Sequence, residues 1–283
     1  MIRLEHISSL DAPALRPYGT MRRPVEHETQ GIFVAEGEKV VRRLLESSFT
    51  VVSALMTEEW LAGFQPALEA RPEPITVFVA PKKLLETLTG FAMFQGVLAV
   101  GKIPEPPAFE DILRISPSPR LFAAVDGLTN SENLGALVRN CAAFNVQALL
   151  VGETSGSPFL RRAVRNSMGA IFQLPVLELG KEPRTPGSRG KTLAHTLCLL
   201  RERGVRGIAA HPRAQKSLSE ADLATDCCIV FGSEGEGISP AVLKSCHEAV
   251  SIPMPANIDS LNVGAAAAVF LYEASRQRRK TLS

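Results

Sequence analysis

The chain holds 283 residues, 45% hydrophobic and 21% charged, with a net charge of +2. This is the composition of a soluble globular protein with room for two domains, and so small a net charge leaves any nucleic-acid binding to local patches instead of a global field. The longest apolar run, Val263 to Tyr272, holds ten residues, about half of the roughly 20 that a spanning helix needs, and the stretch from Met1 to His6 has no apolar signal core; a cytoplasmic protein with no membrane partner is expected.

Five cysteines, Cys141, Cys198, Cys227, Cys228 and Cys246, are odd in number and lack a Cys-x-x-Cys spacing, which fits buried reduced thiols. Residues 1–105 carry 11 Lys/Arg against 13 Asp/Glu, and residues 106–283 carry 20 against 16. The basic excess therefore lies in the second half.

Taken in order, residues 1–30 read as irregular and charged, with Arg22 and Arg23 as the one basic cluster. Ile32 to Ala35 is a short strand, and Glu38 to Leu45 has the apolar spacing of a helix. Strands follow at Val51 to Met56, Ile75 to Val79 and Gly96 to Val100, separated by helices at Trp60 to Glu69 and Pro81 to Leu88. Alternating strands and helices define a small α/β domain over residues 1–103. Pro104, Pro106, Pro107 and Pro117 place a linker over 104–117.

The second domain, 118–283, opens with an apolar strand from Leu121 to Val125, a polar loop from Asp126 to Asn133, and a helix from Leu134 to Phe144 whose apolar positions form one stripe. Arg139 and Asn140 fall off that stripe and are free to serve the loops. Ala148 to Val151 is the next strand; Pro158 to Ser167 is a helix carrying Arg161, Arg162 and Arg165; Phe172 to Leu177 is strand-like. Residues 180–190 form a surface excursion, Thr192 to Arg203 a helix, and Gly207 to Ala210 a strand. A helix from Val263 to Arg276 and a basic tail close the chain. The expected architecture is a parallel-sheet α/β domain behind a smaller α/β domain.

Three loops carry the chemistry. The apolar strand Cys228 to Phe231 stops at Gly232-Ser-Glu-Gly-Glu-Gly237. A second strand, Ala249 to Ile252, runs into Pro253, Met254 and Pro255 and then Ser260-Leu-Asn-Val263 ahead of an alanine-rich helix. The third loop, Asn133-Leu-Gly135-Ala-Leu-Val-Arg139-Asn140, puts Asn133 at the expected helix N-cap. Loops at the carboxyl ends of parallel strands form the crevice where open α/β sheets bind ligands. Each loop alone is an ordinary turn; the three together are specific. The glycine spacing is wrong for the G-x-G-x-x-G dinucleotide fingerprint, and His211 and His247 belong to no zinc-spaced cluster.

These motifs, in this order, resemble motifs one, two and three of the SpoU family of RNA ribose methyltransferases, of the SPOUT class, over residues 120–280. Asn166-Ser-Met-Gly-Ala170 resembles a further element of that family. The resemblance implies a deep trefoil knot in the carboxyl-terminal domain, S-adenosylmethionine as methyl donor, a ribose 2′-hydroxyl as acceptor and a homodimer packed through the knot helices. By matching position it implies cofactor contacts at Gly232, Ile252 and Leu261, with Gly237 and Met254 close by, and polar site residues at Asn133, Arg139, Glu234, Ser260 and Asn262.

An arginine is a poor free base. Arg139 is therefore assigned to holding a phosphate and stabilising the developing alkoxide, with proton abstraction by a depressed arginine as the lesser reading. Asn133 is expected to anchor the loop, and Ser260 and Asn262 to shape the acceptor site. The first domain resembles the ribosomal-protein-like RNA-binding domain that precedes many of these enzymes, through Phe33-Val-Ala-Glu-Gly-Glu-Lys-Val40 and Phe94-Gln-Gly-Val-Leu-Ala-Val100. Arg22, Arg23, Arg161 and Arg165 are the RNA-binding candidates. Ribosomal RNA, of the large subunit, is favoured over transfer RNA by analogy; a non-catalytic RNA-binding protein on the same scaffold is the competing class.

Overall fold

The computed structural model describes residues 1–89, 96–180, 192–255 and 258–281 and divides the chain into two units. The first is Met1–Glu105 with Phe159–Gln173; the second is Pro106–Pro158 with Leu174–Ser283. The expected boundaries were continuous in sequence, whereas here a piece of the second half folds onto the first. Phe94 and the 181–190 part of the expected excursion lie outside the described residues.

The first unit runs β1 (Ile2–His6), α1 (Arg16–Gly19), α2 (Pro24–Gln30), β2 (Ile32–Glu36), α3 (Glu38–Leu45), β3 (Val51–Met56), α4 (Glu58–Glu69), β4 (Ile75–Val79), α5 (Lys82–Thr89) and β5 (Val97–Lys102). Its sheet has the order β1-β4-β3-β5-β2. β1, β4 and β3 are parallel, and β5 runs antiparallel to both β3 and β2. β1 corrects the expectation of an irregular start. It is an edge strand with no fully buried residue, so it lacks the apolar run by which an inner strand is read.

The α3 stripe of Val40, Val41, Leu44 and Leu45 is buried as its spacing predicts. Arg71 closes the turn behind α3, donating to the carbonyls of Leu45 (3.0 Å), Ser47 and Phe49 (2.7 Å) and pairing with Glu73 at 2.7 Å. Burial raises the Glu73 carboxyl, but bonds from Arg71 and from the Val51 N–H outweigh it and hold it below its usual range. Replacing Arg71 with Met is expected to lower unfolding free energy by about 2–3 kcal/mol, because it strands these carbonyls and an acid beneath the surface; a urea titration reads this directly.

The second unit contributes α6 (Phe109–Ile115), β6 (Leu121–Asp126), α7 (Ser131–Ala143) and β7 (Ala148–Val151). The chain then leaves it to build α8 (Arg161–Asn166) on the first unit, where α8 packs on β2. It returns for β8 (Val176–Glu178), α9 (Leu193–Glu202), β9 (Arg206–Ala210), β10 (Lys216–Ser217), β11 (Cys227–Gly232), α10 (Pro240–Ser245), β12 (Glu248–Ser251) and α11 (Val263–Thr281). Half of the expected linker is α6: Phe109, Ile112 and Leu113 are buried in the core that Leu193, Leu197 and Leu200 of α9 share.

All strand pairs of this second sheet are parallel, in the order β10-β12-β9-β11-β6-β7-β8. β7 and β8 step outward on one side of β6, while β11 and β9 lie on its other side. The strand order therefore reverses between β6 and β11, which opens a crevice at their carboxyl ends. α7 and α11 pack together, and Phe270 of α11 meets Phe231 of β11 edge to face, with centroids 5.9 Å apart.

The expected basic tail is the end of α11. Arg278 there donates to the carbonyls of Leu223 (3.0 Å), Pro119 (2.5 Å), Arg120 (2.9 Å) and Thr225 (2.8 Å). Burial pushes the Cys246 thiol up to about 12 and raises those of Cys141, Cys227 and Cys228, which leaves these thiols protonated and unreactive. No helix among the described residues is long and apolar enough to cross a membrane.

Candidate active site

β11 ends at Gly232, and the chain folds straight back. Ser233 N–H donates to Gly237 O at 3.0 Å, and Gly237 N–H to Ser233 O at 3.1 Å. Gly237 has φ +72, a left-handed value that suits glycine. A Cβ on Gly232 would lie 2.2 Å from Gly237 C and 2.4 Å from Ile238 N. The glycine was expected to give a ligand close approach; in the fold it lets the loop close on itself.

Beside it in the sheet, Asp126 pairs in register with Gly232 at the end of β6. Its carboxylate is only 5% exposed, and Oδ2 accepts from Ser239 N–H at 2.7 Å. The buried acid thus anchors the far end of the glycine loop. Sequence reading passed over it, although an acid closing the apolar run Leu121 to Val125 was the available signal. Asp126→Ala is expected to cost about 1–3 kcal/mol by stranding that N–H, with Asp126→Asn losing less than half as much in the same denaturant titration.

The N-cap of α7 is Asn130, three residues before the expected Asn133. Asn130 Oδ1 accepts from the N–H groups of Glu132 (2.9 Å) and Asn133 (3.2 Å). This frees the Asn133 side chain, whose Nδ2 donates to Glu234 Oε1 at 2.5 Å. Asn262 completes the cluster, with Nδ2 donating to Asn133 Oδ1 at 2.9 Å and to Glu234 Oε1 at 3.1 Å. Its Oδ1 caps α11, accepting from Gly264 N–H at 2.9 Å. The cap fixes which end of the Asn262 amide is oxygen, and so orients Asn133 and Glu234 in turn. Asn140 Nδ2 donates to Gly264 O at 2.7 Å and ties α7 to the start of α11.

Residues from all three motifs thus meet: Asn133, Glu234 and Asn262 form one hydrogen-bonded cluster. Arg139 is exposed on α7, and among the described residues it makes no hydrogen bond or ion pair. Ser260 is likewise exposed and outside the cluster. Ile252 and Met254 are half-buried after β12, while Leu261 is 40% and Ile258 47% exposed. Ile258, not anticipated from sequence, was detectable as a lone aliphatic residue in a polar loop. A Cβ on Gly235 or Gly237 would meet nothing within 4 Å, so that side of the loop is open.

The RNA-binding candidates all fall in the first unit. There Arg161 and Arg165 both donate to Glu36, Arg165 at 2.8 Å. Arg161 is largely buried by that contact. Arg22 and Arg23 are exposed ahead of α2. No group of His, Cys, Asp and Glu among the described residues could hold a metal ion.

A parallel sheet with this strand order, which carries the Asn–Glu–Asn cluster on its switch-point loops, has the fold of SpoU-type methyltransferases of known structure. AviRb of Streptomyces viridochromogenes, solved with AdoMet, aligns with a TM-score of 0.79 over 95% of this chain and all of that one, at 22% identity. A solved RNA 2′-O ribose methyltransferase aligns with a TM-score of 0.77 over 97% of this chain and all of that one, at 27% identity. An uncharacterised tRNA/rRNA methyltransferase of Mycobacterium tuberculosis is 33% identical over 260 residues, covering 90% of this chain and 84% of that protein. Residues 120–272 match the SpoU rRNA Methylase family, and the chain belongs to it.

Proposed function

We propose that this RNA methyltransferase takes its methyl group from S-adenosylmethionine and places it on a ribose 2′-hydroxyl, in large-subunit ribosomal RNA. The observation that carries the reading is the Asn133–Glu234–Asn262 cluster, with Arg139 exposed on the same helix as Asn133 and bonded to nothing among the described residues. The residues present fit the cofactor: half-buried Ile252 and Met254 and exposed Leu261 offer an apolar surface, next to the open glycine loop. Ile252 and Leu261 would flank the adenine, with backbone groups of Gly232, Gly237 and Met254 completing the site. S-adenosylmethionine supplies an electrophilic methyl group, so the protein mainly positions and polarises.

Arg139, with no partner among the described residues, holds the phosphate next to the target ribose and stabilises the alkoxide as it develops. Glu234 gives only Oε1 to the two asparagines, which leaves Oε2 for the acceptor hydroxyl. Ser260 and Asn262 shape the acceptor side. The reading includes a trefoil knot and a homodimer through the α7–α11 face, where Val269 and Tyr272 are 40% and 52% exposed.

The test incubates labelled S-adenosylmethionine with the protein and unmodified ribosomal or transfer RNA, followed by alkaline digestion. Label in an alkali-resistant dinucleotide from ribosomal RNA supports the reading, and label from transfer RNA moves the substrate. Label in a mononucleotide places the methyl group on a base. Neither transfer nor cofactor binding leaves a non-catalytic RNA-binding scaffold.

A further inference from the structure

The first unit has a use for α8 that the reaction does not explain. Taken as residues 1–105 alone it is acidic, with 11 Lys/Arg against 13 Asp/Glu. The returning segment Phe159–Gln173 adds Arg161, Arg162 and Arg165 and no acid, which brings the unit to 14 against 13.

Those charges are concentrated. Arg161 and Arg165 both reach Glu36, whose side chain is 12% exposed, so one buried carboxylate is shared by two guanidiniums, and Arg165 stays 60% exposed. Arg162, between them in sequence, is exposed with no side-chain partner among the described residues. On α3, which begins two residues after Glu36, Lys39 is exposed with no side-chain partner among the described residues, and Arg43 is exposed one turn on. Arg43 Nη1 donates to Met168 O at 2.5 Å. The aliphatic stem of Arg43 lies on Gly169, where a Cβ would sit 2.9 Å from Arg43 Cβ. Gly169 has φ +82 and Met168 φ +54. The Asn166–Ala170 element is thus the seat that holds α3 and α8 edge to edge. The acids on these elements are mostly spoken for: Glu36 by the two arginines and Glu38 by Arg42, which leaves Glu46 exposed at the end of α3.

We infer that Lys39, Arg43, Arg162 and Arg165 form a composite phosphate-binding surface for the backbone of the substrate RNA, assembled only because α8 docks on the first unit. This rests on the proposed RNA substrate and names where its backbone is gripped. Lys39 and Arg162 have no side-chain partner among the described residues, and Arg165 stays exposed while sharing one carboxylate with Arg161; the excess positive charge is available to a polyanion, and each phosphate neutralised releases counterions. Contacts of this kind position RNA without reading its sequence.

The test measures binding of transcribed ribosomal RNA against salt concentration for wild type, Lys39→Ala, Arg162→Ala and the double variant. Lys102→Ala, at the opposite end of the β2–β5 pair, is the control for charge alone. Lys39 and Arg162 are exposed and make no side-chain hydrogen bond or ion pair among the described residues, so all variants should fold. The double variant is expected to flatten the slope of log K against log salt by about 1.5, at 0.7–0.9 per phosphate lost, and to raise the RNA KM about tenfold with kcat and cofactor binding unchanged. A slope and KM equal to wild type, or an equal change in Lys102→Ala, overturns the surface. Failure of wild type to methylate any RNA defeats the proposed function instead, and the salt slopes still decide whether this face grips RNA.

Discussion

Arg139→Ala is expected to lower methyl transfer by about 10²–10³-fold, the loss typical of removing one donor from a developing oxyanion. Unfolding free energy and S-adenosylmethionine binding should stay at wild-type values, since the side chain is exposed and bonded to nothing among the described residues. Arg139→Lys distinguishes the two roles considered for this position. A stabiliser that grips phosphate through two parallel bonds is poorly replaced by a point charge, so lysine should recover little activity. Recovery with a rising alkaline pH profile would identify a base. Single-turnover transfer to saturating RNA separates this chemical effect from weakened RNA binding.

Gly232→Ala is expected to lower cofactor affinity by 100-fold or more, about 2.7 kcal/mol at 1.4 kcal/mol per tenfold. The added methyl carbon would stand 2.2–2.5 Å from backbone atoms of Gly237 and Ile238, which cannot rotate aside as a side chain can. The hairpin must open, and it takes Glu234 away from Asn133 and Asn262. Gly235→Ala, three residues on, meets nothing within 4 Å and should bind the cofactor as wild type does. Isothermal titration of both variants checks the contrast; equal behaviour would show that loop closure does not set the site.

Those two glycines mark how far the sequence could be read. Gly232-Ser-Glu-Gly-Glu-Gly237 announces a loop at a strand end, but its glycines are chemically identical until the fold shows which one has backbone above it. The strands of the second unit other than β10 were legible because both faces of a parallel sheet are covered and each reads as an apolar run; β10, Lys216–Ser217, is two polar residues at the sheet edge and has no such run. The order of the strands was not legible, because β11 pairs with β6 from 106 residues earlier, Cys227 against Leu121 to Gly232 against Asp126, and nothing local encodes that pairing. The cluster members Asn133, Glu234 and Asn262 were found through motif resemblance, whereas the capping role went to the wrong asparagine. Asn130 and Asn133 are equally good caps by type, and only the start of α7 at Ser131 separates them. The unit to which Arg161 and Arg165 belong was not legible either: a helix spelled between two strands of one sheet carries no local mark that it packs on β2.

That displaced helix bears on how the protein comes into being. During synthesis the amino-terminal 105 residues emerge first, yet Phe33 and Phe49 close their cluster only with Phe159 and Phe172, at centroid distances of 5.4–6.3 Å. More than fifty further residues, with α6, β6, α7 and β7 among them, must leave the ribosome before the first unit is finished. The first unit must therefore wait, partly built, while the opening elements of the second are made, and the second is completed only after the chain has returned from the first.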